Sequence, residues 1–154
     1  WSSFAGAEVD RDTGHGGVHV HQILPAETDA APHLAEVLAS ALSRLREPGA
    51  VLLVHVAAFD VPFLARACQG VGVRWPVVPV VDTAKLLDHW MPRERREATW
   101  GKGHARLDVA RRIAGLPPTM AHEALSDALA TAELFLALAQ RLNATSVRSL
   151  VLAS

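Results

Sequence analysis

Two acidic side chains stand at positions where they could supply oxygen ligands for a metal ion. Asp60 follows the apolar run of residues 51–56 and a turn of small residues. We therefore expect it at the carboxyl end of a buried strand, where α/β folds place ligand groups. Asp127 lies in the first turns of a predicted helix, shortly after His122. Carboxylates can hold a divalent cation, and a nearby histidine can accept or donate a proton, so these residue types could form a catalytic or ligand site.

Each of these residues also has a purely structural interpretation. Asp60 is a good N-cap residue, and Pro62 would be tolerated in the first helical turn. Asp127 is favoured near a helix N-terminus by the helix dipole, and a single histidine in a loop is usually structural. The two interpretations are separated by the motifs in which these residues occur.

Two stretches of the chain carry a family resemblance. Residues 55–60 read His-Val-Ala-Ala-Phe-Asp, and residues 122–128 read His-Glu-Ala-Leu-Ser-Asp-Ala. They resemble the second and third motifs of the DEDDh group of 3′-to-5′ exonucleases, roughly His-Asn-x-x-Phe-Asp and His-x-Ala-x-x-Asp-Ala. Between them, residues 81–83 read Val-Asp-Thr, as a strand end of that family often does. The resemblance extends from about His21 to Leu142 and covers most of the chain.

The resemblance implies an α/β fold of the ribonuclease H-like type, in which a mixed sheet is flanked by helices. It implies that four acids hold two ions, Mg²⁺ or Mn²⁺, and that Asp60 and Asp127 are two of the four. His122 matches the histidine that takes a proton from the attacking water. His55 and Phe59 belong to the second motif and are expected to contact the nucleic acid.

The first motif of the family, Asp-x-Glu-Thr, is absent from the sequence. Residues 10–13 read Asp-Arg-Asp-Thr, but no apolar strand precedes them, and too few residues separate them from the stretch that begins at His21. We therefore expect one exonuclease-like domain, residues 1–154, that is truncated at its N-terminus, lacks its first strand and is inactive as it stands. Two of the four metal acids would be missing, and metal affinity follows the number of anionic ligands.

Periodicity and turn residues predict the elements that carry these motifs. Helices are expected over residues 29–47, 61–68, 83–90, 107–114 and 124–142, and strands over 51–56 and 77–81. Residues 1–24 are expected to form one or two strands with a polar loop. Residues 92–106 are expected to form a loop. On the long last helix, alanines at 124, 128 and 132 should allow close approach to the sheet, and leucines at 125, 129 and 136 should extend the buried side.

Composition sets broader limits. A chain of 154 residues with a net charge of −1 suits one domain and gives no global basic signal for nucleic acid. The single cysteine, Cys68, excludes an internal disulfide and a Cys-pair zinc site, and suggests the cytoplasm. Residues 93–112 carry seven Arg or Lys against three acids. In this locally basic stretch, Arg93, Arg95 and Arg96 are expected to meet phosphates.

The favoured function is a metal-dependent 3′-5′ exonuclease acting on single-stranded or frayed DNA 3′ ends, similar to the epsilon subunit of DNA polymerase III. Its partners would be the nucleic acid and a polymerase or further domains of a longer chain, with no membrane. An RNA exonuclease of the same superfamily is one alternative. A catalytically dead domain that binds nucleic acid or a protein partner is the other.

Overall fold

The computed structural model describes residues 31–101, 103–119 and 123–154. The chain divides into the units Trp1–Pro32 and His33–Ser154, and all the elements below belong to the second unit. The strands predicted within residues 1–24, the acids Asp10 and Asp12, and the candidate base His122 lie outside the described residues. In the described part of the chain, no helix is long and apolar enough to cross a membrane.

The described residues form two strands and seven helices. In chain order they are α1 (Leu34–Leu45), β1 (Leu52–Val54), α2 (Ala57–Gly70), β2 (Val80–Asp82), α3 (Thr83–Trp90), α4 (Arg93–Trp100), α5 (Leu107–Ile113), α6 (Ala124–Arg141) and α7 (Val147–Ala153).

The two strands pair in parallel, with α2 as the connection between them. Leu52 pairs with Val80 and Val54 with Asp82, so the carboxyl ends of the strands lie side by side. Both strands are shorter than predicted. The parallel sheet with helical connections confirms an α/β architecture, and the mixed ribonuclease H-like sheet remains an expectation for the whole domain.

The main core lies between β2 and helices α3, α5, α6 and α7. Its ten buried side chains are Val81, Leu86, Leu87, Met91, Ala105, Ala110, Ala114, Leu134, Leu138 and Leu150. The bounds of α3 agree with the predicted 83–90, and those of α5 and α6 agree to within one residue. These helices combine apolar periodicity with clear end signals, the case in which sequence patterns are most informative.

A second, smaller core joins α1 to α2. Leu38 and Leu42 of α1 pack against the buried thiol of Cys68, and Trp75 covers the cluster from the following segment. Helix α1 begins at Leu34 rather than at residue 29, because residues 31–33 are not helical. Only one narrow face of α1 is buried, and Val37 is half exposed.

Two helices correct the prediction from sequence. Residues 92–106 were expected to form a loop, but α4 occupies Arg93–Trp100. This helix has no buried residue and therefore no apolar periodicity to reveal it. It is favoured locally by an ion pair between Arg93 and Glu97, which lie one helical turn apart. Helix α7 was also missed, although Leu150 anchors it in the main core.

The long helix α6 buries a different face from the one predicted. Its buried residues are Ala130, Thr131, Leu134 and Leu138, whereas Leu125, Leu129 and Leu136 are 58–65% exposed. Apolar residues occur on every side of this helix, so their spacing alone does not select a face. Packing against α3 and α5 decides which side is covered.

A buried arginine ties α5 to α6 and to the segment between them. Arg111 is 1% exposed. Its guanidinium donates to the carbonyls of Ala130 (2.8 Å) and Pro117 (3.0 Å) and pairs with Glu133 at 2.7 Å. Because buried carbonyl groups need donors, Arg111 holds in place the segment that leads toward His122 and Asp127.

We expect Arg111→Met to lower the free energy of unfolding by about 1–3 kcal/mol, because two carbonyl groups lose a buried donor while the apolar stem is kept. Chemical denaturation monitored by circular dichroism measures the change. Arg112→Met, on the exposed side of the same helix, is the control and should change stability by less than about 0.5 kcal/mol. Equal effects of the two substitutions would contradict the anchoring role.

Candidate active site

An open cleft of about 950 Å³ lies where the end of β1 meets α2, α5 and α6. The polar and aromatic side chains that line it include His55, Phe59, Asp60, Arg106, Asp108 and Asp127. The floor is apolar and comes from Leu53 and Val54. The cleft is thus at the carboxyl end of a parallel strand, where ligand sites of α/β folds are commonly found.

The structure brings Asp60 and Asp127 into this one cleft from α2 and α6. Among the described residues, none donates a hydrogen bond to either carboxylate. Asp127 follows the N-cap of α6, Glu123, which accepts hydrogen bonds from the amides of Leu125 and Ser126. These bonds, led by those with Ser126, lower the pKa of Glu123.

The donor chemistry suits Mg²⁺ or Mn²⁺, which prefer carboxylate oxygens. Within the ranges that the structure describes, however, no group of three or more His, Cys, Asp or Glu side chains is close enough to hold a metal ion. Among the described residues, Asp60 and Asp127 thus offer two carboxylate ligands in one cleft and no third acid or histidine close enough to join them.

The turn that carries the site is held by a buried carboxylate on the neighbouring strand. Asp82 is 3% exposed and accepts hydrogen bonds from the backbone amides of Val56 and Ala57, both at 2.9 Å, and of Ala84 at 3.0 Å. It is the N-cap of α3, and it also caps α2 from across the sheet. The alternative interpretation of Asp60 as an N-cap was wrong, because α2 begins at Ala57 and Asp60 lies inside its first turn.

Val56 occupies the N-cap position of α2 in a left-handed conformation, with φ 67° and ψ 71°. A β-branched residue is unfavourable there, whereas Asn tolerates this region. The motif that residues 55–60 resemble has Asn at this position. The strain is sustained because the Val56 amide is fixed by Asp82.

Val56→Asn should raise the free energy of unfolding by about 1 kcal/mol, the order of the left-handed penalty that it removes. Thermal and urea denaturation measure it. Val56→Thr keeps the β-branch and should give no such gain. If Asn and Thr behave alike, strain at residue 56 does not limit stability.

His55 is connected to the protein through both ring nitrogens. Nε2 lies 2.8 Å from the carbonyl oxygen of Ala105, and Nδ1 lies 2.9 Å from the hydroxyl of Thr83. Because a carbonyl only accepts, Nε2 carries the proton in the neutral ring. The Thr83 hydroxyl, which lies 2.9 Å from Nδ1, also lies 3.1 Å from the Val54 carbonyl, so its single proton is shared between these two acceptors. His55 was predicted to contact nucleic acid; its hydrogen-bonding atoms serve the fold, so a contact would involve the ring surface.

Burial shifts the pKa values of two cleft residues in opposite directions. Desolvation lowers the pKa of His55, against smaller opposing effects of the Ala105 carbonyl and Asp82. Partial desolvation and the nearby Asp82 carboxylate raise the pKa of Asp60, and His55 opposes this. The neutral forms of both groups are thereby favoured in the folded protein.

Because the pKa of His55 is lowered in the folded protein, the free energy of unfolding should decrease toward acidic pH. The unfolded chain takes up the His55 proton near the ordinary pKa of about 6.5, before the folded protein does. The contribution of His55 to the free energy of unfolding is thus present in full above about pH 6.5. It is lost as the pH falls from that value toward the pKa of His55 in the folded protein. Between pH 8 and pH 5, wild type should lose more stability than His55→Gln, as measured by urea denaturation at each pH. Parallel curves would show that His55 is not desolvated.

The three arginines predicted to meet phosphates do not line the cleft. They lie on α4, where Arg93 pairs with Glu97 at 2.8 Å and Arg96 with Asp88 at 3.4 Å. The side chain of Arg95 makes no ion pair with a described residue. Their role in binding nucleic acid stays a prediction.

Phe59, also predicted to contact nucleic acid, does line the cleft, as do two residues that sequence reasoning did not single out. Arg106 and Asp108 flank the start of α5 and are 3.3 Å apart. Arg106 belongs to the basic stretch noted in the sequence, but its spacing did not distinguish it from the six other cations there. Only tertiary packing places Arg106 beside Asp60 and Asp127.

A comparison with protein families shows to which family the chain belongs. The RNase_T family, described as Exonuclease, matches residues 9–135. The chain belongs to this exonuclease family. It is therefore a nuclease, a hydrolase that acts on nucleic acid, and members of the family generally use divalent metal ions. Searches of curated proteins and of solved structures each found no match.

Proposed function

We propose that the protein is a metal-dependent 3′-5′ exonuclease of the DEDDh type, hydrolysing phosphodiester bonds at nucleic-acid 3′ ends, with DNA as the favoured substrate. One observation supports this above the others. Asp60 and Asp127, which match two separate motifs of that group, line the same cleft from two different helices. The family match covers both acids.

In this proposal Asp60 and Asp127 hold Mg²⁺ or Mn²⁺ together with acids outside the described residues. A pair of such ions neutralises charge on the transferring phosphate and orients the reacting groups. The raised pKa of Asp60 means that its carboxylate is more readily protonated than an ordinary aspartate. Metal binding should therefore weaken toward acidic pH, because the ligand must be ionised.

His122 is proposed as the general base that accepts a proton from the attacking water. It lies outside the described residues, but its neighbours in sequence support the role. Thr119 lines the cleft three residues earlier, and Asp127 lines it one helical turn into α6. Arg111 restrains the same segment through the Pro117 carbonyl.

A second candidate function is a catalytically inactive domain that binds nucleic acid or a protein partner. It is favoured by the absence of a third acidic or histidine ligand near Asp60 and Asp127 among the described residues. An RNA exonuclease is a third possibility, since no described contact distinguishes ribose from deoxyribose. If DNA is the substrate, we further propose that the protein is similar to the epsilon subunit of DNA polymerase III, acts with a polymerase and is located in the cytoplasm.

Metal binding by the chain tests the site without requiring turnover. Asp60→Asn and Asp127→Asn should each weaken Mn²⁺ binding measured by calorimetry about tenfold or more, because an anionic ligand is lost. Asp108→Asn is the matched control, since it removes a carboxylate from the same cleft but not a proposed ligand. If Asp127→Asn binds Mn²⁺ like wild type, Asp127 is not a ligand.

Hydrolysis tests the missing first motif. Residues 1–154 should release no 3′-terminal nucleotide above background at millimolar Mg²⁺ or Mn²⁺, because only two of the four acids are matched. If a longer form of the chain supplies the first motif, that form should be active and should lose its activity on Asp127→Asn. Robust release by residues 1–154, abolished by Asp10→Asn or Asp12→Asn, would contradict the proposal and assign the first motif to those acids.

A further inference from the structure

We propose that Phe63 and Arg106 form a subsite for one nucleotide of an unpaired strand. The base stacks on the Phe63 ring, and a phosphate pairs with the Arg106 guanidinium. Both side chains line the cleft that contains Asp60 and Asp127. The subsite rests on the proposed nuclease function and adds to it the contacts that hold the strand beside the acids.

Phe63 is placed to stack with a base next to the metal site. It lies three residues after Asp60 on α2, and side chains at this spacing are helical neighbours, with about 5–6 Å between Cβ atoms. The ring is 61% exposed, whereas Cys68, on the same helix, is fully buried. Single exposed apolar residues are common, but Phe63 opens into a cleft with acids, which is the arrangement of an aromatic platform for bases.

Arg106 is the only Lys or Arg side chain among the described residues that line the cleft. Its ion pair with Asp108 is 3.3 Å long, and the two side chains are 75% and 59% exposed. Such a pair in water is weak, so a phosphate can replace Asp108 as the partner of the guanidinium. Arginine also binds phosphate through two parallel hydrogen bonds.

The charge distribution assigns different parts of a nucleotide to different parts of the cleft. Three carboxylates, Asp60, Asp108 and Asp127, repel any phosphate that is not accompanied by a cation. A phosphate away from the metal site therefore requires Arg106. The base, which has no charge, can occupy the apolar surface of Phe63. In a stacked duplex the face of a base is covered by its neighbours, so this contact selects an unpaired strand.

The experiment measures binding by the full chain, using fluorescence anisotropy with a labelled single-stranded oligodeoxynucleotide and, separately, an abasic oligomer of the same length. Phe63→Ala should raise the Kd for the normal oligonucleotide by about 5- to 150-fold, the effect of losing one stacked base, and leave the Kd for the abasic oligomer unchanged. Phe63→Trp should retain binding. Leu136→Ala, equally exposed but outside the cleft, is the matched control and should bind like wild type.

The phosphate contact has its own measurement. Arg106→Gln should weaken binding to both oligomers and reduce the salt dependence, the slope of log K against log salt concentration, by about one. Arg148→Gln removes an exposed charge on α7 and should leave the slope unchanged. Each variant should melt within a few degrees of wild type, because both side chains are exposed.

Four outcomes would overturn the subsite. The first is that wild type binds no oligonucleotide. The second and third are that Phe63→Ala unfolds, or that it loses binding to the normal and the abasic oligomer equally. The fourth is an unchanged salt slope for Arg106→Gln. Failure of the proposed nuclease function would instead appear in the Mn²⁺ calorimetry, as unchanged binding by Asp127→Asn. If Asp127→Asn weakens Mn²⁺ binding while Phe63→Ala binds DNA like wild type, the subsite is wrong and the metal site stands.

Discussion

The buried carboxylate of Asp82 determines the geometry on which the rest of the site depends. It ends β2, caps α3, and accepts the amides of Val56 and Ala57 at the start of α2. These bonds join the ends of two parallel strands and fix a left-handed residue between β1 and α2. Because α2 begins at that turn, the direction in which Asp60 and Phe63 face is set by a residue that does not itself line the cleft.

The same carboxylate has an electrostatic cost. Asp82 lies near Asp60, and the repulsion adds to partial desolvation in raising the Asp60 pKa. A cleft lined by Asp60, Asp108 and Asp127 against one described cation is poorly suited to binding phosphate alone. A divalent ion would relieve both the repulsion among the acids and the repulsion of the substrate. The mutual repulsion of these acidic residues in the free protein is therefore consistent with the metal site proposed above.

Two arginines hold the other side of the cleft through backbone carbonyls. Arg111 joins the middle of α6 to the segment after α5, and Arg141 donates to the Ala114 carbonyl at 2.7 Å while its guanidinium lies over the Trp90 ring. Helix α6 is thereby held against α5 in its middle and against α3 and α5 at its C-terminal end. Asp127 occupies the first turn of this restrained helix, so its position relative to α2 depends on contacts far from the cleft.

The sequence by itself determined the elements with strong local signals, and it singled out two acids that the structure places in one cleft. Apolar periodicity with clear end residues gave α3, α5 and α6 almost to the residue, and motif order selected Asp60 and Asp127 as partners. The sequence did not give α4, whose stability comes from polar pairs rather than a buried face, or the start of α2, which is set by hydrogen bonds from Asp82 on another strand.

Tertiary structure alone decided which side of α6 is buried, because apolar residues surround that helix and only its neighbours select a face. It also decided which cation of a long basic stretch meets the acids. Arg106 lies there because α5 begins beside β1, whereas Arg93 and Arg96 are occupied by acids near them on α3 and α4. Spacing along one helix can be read from a sequence, but the juxtaposition of separate elements depends on how their buried faces pack.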